Sequence, residues 1–224
     1  MIALRAAENA SPADWVVAGI RGFGESVLSL VPEGFPAYVR VFHPAHADDR
    51  GVTWANIARR NGKVAHAGMQ LVALTGLAQG QPQPDVFDVP PLEGSMPPSV
   101  SSALAGALGR HTSTRERCWF AFWEGHGGLT HDVTAAPGFE LPNRGYHLLG
   151  GPVDAATEPV IDRQSANLWW PDDRAWCVAT EIDLNTTYLG CSQECAEAVI
   201  ARAGIEATAI PPTTGIAFDS DTVN

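Results

Sequence analysis

Several stretches of this chain alternate with a period of two, and others repeat their apolar residues near every 3.6 positions. The two periods predict strands and helices respectively. SVLSLVP and AYVRVFH read as strands around the turn Pro32-Glu33-Gly34. CWFAFW, GYHLLGG, ANLWW, RAWCVATEID, TTYLG and GIEATAI read as further strands. In CWFAFW, residues 118–123, alternation puts Cys118, Phe120 and Phe122 on one face and Trp119, Ala121 and Trp123 on the other. Both faces are apolar, which predicts a central strand covered on both sides.

Helical signals are fewer. Ser11 is placed to cap a helix that has Pro12 in its first turn and Asp14 at its positive dipole end. Thr53 caps a second, with Trp54, Ile57 and Ala58 on one side and Asn61-Gly62 as its stop. Residues 69–78 are apolar enough to be buried and read as a helix. A third starts near Ser99 or Ser101, buries Val100, Leu104 and Leu108, and ends at Gly109. The last runs from about Ser192 to Ala203, with Gly204 beyond it. Residues 79–98 contain six prolines and no helical period. They predict a surface arm or linker, with VFDV as a possible anchor. Strands outnumber helices and follow one another closely after residue 117. The expected fold is therefore α+β: a mostly antiparallel central sheet with three to four packed helices. It forms one domain over 1–224, with 79–98 as an excursion within it.

Composition narrows the function classes. The chain has 224 residues, 45% of them hydrophobic, and a net charge of −11. Its 14 Lys and Arg form no run longer than Arg59-Arg60. That disfavours nucleic acid and anionic membranes, and it favours a protein partner or a small molecule. No stretch has the basic start and apolar core of a signal peptide, and none reaches the ~18 apolar residues of a membrane helix. Four cysteines without a secretory signal read as reduced thiols, so the expected location is the cytoplasm.

Three segments are candidates for chemistry. Glu124 and His126 fall where the CWFAFW strand ends, with His131-Asp132 close behind. They are placed for an acid–base pair, or for the polar tips of a glycine-rich turn. His43 and His46, with Asp48-Asp49 after them, have loop spacing compatible with a metal or with solvated histidines. Trp169, Trp170, Asp172, Asp173 and Arg174 form a compact aromatic and charged cluster. It reads as a ligand platform of indole faces and carboxylates, or as a turn closed by a local ion pair. Glu181 and Asp183 share a strand face as a possible carboxylate pair. Cys191 and Cys195 lack the spacing of a redox or zinc pair. The chain contains no Walker A loop, dinucleotide fingerprint, nucleophile elbow or HExxH helix, which disfavours the common nucleotide-binding and hydrolase classes and leaves the cofactor unknown.

The phrases VPEGFPAYVRVFHPA, CWFAFWEGHG, YHLLGGPVDAA and WWPDDRAWCVATEIDLNTTYLG together resemble hypothetical proteins of actinobacteria. The likeness implies a cytosolic bacterial protein and carries no activity. In architecture the acidic, strand-rich order is loosely similar to the SUKH immunity and regulatory proteins. Two functions are expected: a non-catalytic binding or regulatory protein, or an enzyme, metal-assisted or not, that uses His43, His46, Glu124 and His126. The second requires the two loops to meet at one end of the sheet.

Overall fold

The computed structural model describes residues 4–157 and 164–224. In chain order the strands are β1 (Arg5–Ala6), β2 (Ala37–Phe42), β3 (Ala45–Ala47), β4 (Arg50–Val52), β5 (Cys118–Trp123), β6 (Gly138–Leu141), β7 (Arg144–Gly151), β8 (Leu168–Pro171), β9 (Cys177–Ala179), β10 (Thr186–Cys191) and β11 (Glu206–Ala209). The helices are α1 (Asp14–Gly19), α2 (Trp54–Arg60), α3 (Leu71–Thr75), α4 (Pro98–Leu108), α5 (His131–Thr134) and α6 (Gln193–Ile200).

Nine strands form one sheet in the order β1-β7-β5-β8-β9-β10-β2-β11, with β6 also paired to β7. Each of these pairings is antiparallel. β3 and β4 make a separate two-stranded ribbon. The α+β expectation holds, and β5 lies inside the sheet between β7 and β8. Cys118, Phe120 and Phe122 join Leu104, Leu108 and Val199 in a core between the sheet and α4 and α6. Ala121, Trp170, Tyr188 and Cys177 face the other way, against the N-terminal segment at Val16, Val27 and Val31. A third cluster, of Phe42, Trp54, Ile57, Leu74 and Phe87, joins α2, α3 and the proline-rich arm to the end of β2.

Some local readings change. Residues 26–32 do not form a strand. The Ser29 side chain accepts from the main-chain N–H of Ser26 in a capping box, and a 3-10 turn follows at Val27–Ser29. Ser11 does not cap the first helix; the Asn9 side chain accepts from Ser11 instead, and a 3-10 turn leads into α1. Thr53 caps α2 as expected, its hydroxyl accepting from Asn56 N at 3.2 Å. The arm is pinned rather than loose. Phe87 and Met96 are buried, and His46 N donates to Val89 O at 2.9 Å.

Candidate functional site

The expected indole platform does not face solvent. Trp169 is 1% exposed and Trp170 is fully buried, on opposite faces of β8. Trp169 stacks on Phe120 and meets Trp176 edge-on, while Trp170 contacts Trp15 and Phe139. These rings are sheet core and offer no face to a ligand. The turn after them also differs from a local ion pair. Asp172 pairs with Arg117 at 2.7 Å and accepts from the Trp119 indole at 2.9 Å. Asp173 accepts from the Thr112 hydroxyl and from Ser113 N and Oγ, tying β8 to the segment before β5. Arg174 has φ 58° and lies over the Trp15 ring at 5.7 Å. The two carboxylates are engaged within the fold, and Arg174 is exposed beside Trp15.

His43 is likewise internal. It is fully buried, with Nδ1 2.7 Å from Leu92 O and Nε2 2.9 Å from Thr187 Oγ1. Both ring nitrogens are therefore engaged, which leaves none for a metal. His46 sits on the ribbon strand β3. Among the described residues, no group of three or more His, Cys, Asp or Glu is arranged to hold a metal ion. Glu124 is exposed beside Gly145, and His126 is half-buried with Nε2 3.1 Å from Asn167 Oδ1.

The two loops do reach the same end of the sheet. Four antiparallel steps separate β5 from β2, so the strands run in the same direction and both chain exits lie together. The histidines are joined by a buried belt rather than by contact. Thr187 Oγ1 is 2.8 Å from Thr180 Oγ1, and Asn167 Nδ2 donates to Thr180 O at 3.2 Å. Asn167 Oδ1 then faces His126 and also accepts from Trp123 N at 2.9 Å. Such a belt satisfies polar groups that would otherwise be costly to bury. Burial holds the His43 imidazole down to about 4, and outweighs the hydrogen bond to Leu92. Burial also lowers His126, against the opposing hydrogen bond to Asn167.

Beside this belt lies a cavity of about 510 Å³. Asn167 and Thr180 belong to both. Leu168 and Ala179 on the sheet, Leu30 from the N-terminal segment and Ile216 from the C-terminal segment give it apolar walls. Its mouth is charged and aromatic. Arg144 at the start of β7 donates to Glu181 from Nε at 3.2 Å and from Nη2 at 3.0 Å, and to Asp183 at 3.0 Å. Its guanidinium lies 5.0 Å from the Phe23 ring centroid and 5.5 Å from that of Trp123. Glu93 on the arm and Phe218 complete the rim. Phe23 and Phe218 are 42% and 61% exposed.

Alternation along 175–183 paired Glu181 and Asp183 on one strand face; β9 in fact ends at Ala179, and the two border the cavity from the turn that follows. Arg144, Glu93, Phe23 and Phe218 carried no sequence signal, because they come from four separate segments that only the fold assembles. Compared with known proteins, the chain matches no family model, and no curated protein and no solved structure is significantly similar to it.

Proposed function

We propose that the protein is a non-catalytic binding protein that holds a small molecule in the cavity at this end of the sheet. The observation that carries the reading is an apolar volume of about 510 Å³, bounded by the sheet and both terminal segments, with polar groups gathered at one side. Ligand sites for small molecules are concave, mostly apolar and of roughly 300–1,000 Å³, with a few polar groups that orient the guest.

A neutral fluorophore that brightens in apolar surroundings, N-phenyl-1-naphthylamine, tests this directly. It should bind the native protein saturably. Ala217→Trp and Leu141→Trp each grow a half-buried wall residue into the space. Each should weaken probe binding at least about tenfold while the thermal melt stays cooperative. No saturable binding, or undiminished binding in both folded variants, would sink the reading.

The acid–base alternative rests on one observation, that His43 and His126 share an end of the sheet. With His43 enclosed, it reduces to Glu124 and His126. Any hydrolysis of small ester or amide substrates that survives in the double variant Glu124→Gln/His126→Gln would dismiss it.

A further inference from the structure

The charges at the cavity mouth bear on what kind of molecule enters. Three carboxylates, Glu93, Glu181 and Asp183, and one guanidinium, Arg144, border the cavity, a formal net charge of −2 (three negative, one positive). The carboxylates alone would be an ordinary solvated patch. The apolar cleft behind them gives a ligand somewhere to put its body while its head meets them.

Arg144 is not free to receive an anion. Its side chain is 16% exposed, its Nη2 is shared between Glu181 and Asp183, and its guanidinium lies 5.0 Å and 5.5 Å from the Phe23 and Trp123 ring centroids. A ligand carboxylate would have to break those pairs and approach three like charges. The carboxylates, by contrast, have capacity left. Asp183 is 73% exposed in its side chain and holds Arg144 through Oδ2. Glu93 is exposed and forms no ion pair among the described residues. The exposed Phe218 ring offers a face of the kind that attracts cations. The chain's overall charge of −11 draws cations toward the mouth as well.

We propose that the cavity takes an organic cation, with an apolar body among Leu30, Leu168, Ala179 and Ile216 and an ammonium head between Glu93, Asp183 and Phe218. This rests on the cavity reading above. The head replaces water at two carboxylates, and the body replaces water against apolar walls. No covalent step is involved.

The test is competition against bound N-phenyl-1-naphthylamine by three ligands of equal chain length: decyltrimethylammonium, decanol and decanoate, each kept below its micelle concentration. The ammonium should displace the probe at a concentration at least about tenfold below that needed for decanoate, with decanol between them. Added salt should narrow that gap, because the mouth is open to solvent. In Glu93→Gln/Asp183→Asn the ammonium-to-decanoate ratio should fall to within about threefold. The ratio cancels any change in the probe's own affinity. Equal displacement by all three ligands, or preference for decanoate, would overturn the inference while leaving the cavity as a ligand site. Failure of the native protein to bind the probe at all would overturn both.

Discussion

His43 and Asp221 show how single side chains set the pH response. The buried His43 imidazole is held down to about 4, against about 6.5 for an exposed histidine. Between these values the unfolded chain takes up a proton that the folded chain refuses. Stability is therefore complete above about 6.5 and falls as pH drops toward about 4. The loss is about 3 kcal/mol at about 1.4 kcal/mol per unit. Urea midpoints measured across that window should fall in the native protein and stay flatter in His43→Gln. Asp221 acts lower. Burial opposes ionisation of its carboxylate, but hydrogen bonds from Asn224, Val223 and Gln70 outweigh it and hold the group well below the usual carboxylate range. The stability it gives is present above the ordinary carboxylate value and is lost as pH falls further into acid. Asp221→Asn should lower stability at neutral pH by about 1–3 kcal/mol and remove the acid-side part of the decline. Arg40 is also buried; burial disfavours its charge while Asp221 supports it, and the guanidinium is bonded to Met69 O and Gln70 Oε1 and ringed by Phe42, Trp54 and Tyr188.

At the scale of elements, local signals and distant partners act together. Thr53 begins α2 through its own hydroxyl, as the sequence indicates. Glu206 on β11 also reaches that helix, accepting from Trp54 N at 2.6 Å and Ala55 N at 2.8 Å. It satisfies two first-turn donors that the helix leaves open. Glu206→Ala should lower stability by about 1–3 kcal/mol, more than the roughly 1 kcal/mol for Thr53→Ala. The arm is held by Gly94, which has φ 73° and donates to Leu184 O at 2.9 Å. A Cβ there would come 2.5 Å from Ile182 O. Gly94→Ala should cost about 1–3 kcal/mol. It should also weaken probe binding, since residues 93 and 184 both border the cavity. A melt unchanged in midpoint would show that the arm gives way at no cost.

The molecule as a whole is a sheet with two covered faces, and its cavity is bounded by segments from both ends of the described chain. A bound cation would therefore tie Leu30, Ala179 and Ile216 into one unit. A ligand at about 100 times its Kd should add about 2.7 kcal/mol, which would appear as a concentration-dependent rise in Tm. Ala217→Trp should show a smaller rise. Among the described residues, no helix is long and apolar enough to cross a membrane.

The sequence by itself determined the strand set from β5 to β11 except β6, the starts of α2 and α6, and the two-faced burial of β5. Those features are written in periods of 2 and 3.6 and in short caps, which act over a few residues. It left the candidate site largely unread. Trp169 and Trp170 look like a binding surface until the sheet closes over both faces of β8. His43 looks like a loop ligand until Leu92 and Thr187 enclose it. Glu181 and Asp183 were legible as a pair, but β9 stops at Ala179, and they meet through Arg144 from the turn beyond it rather than on a strand face. Only the tertiary structure placed Arg144, Glu93, Phe23 and Phe218 around one cavity. A cavity is the space left between elements, and their separation is set by long-range packing that no local pattern encodes.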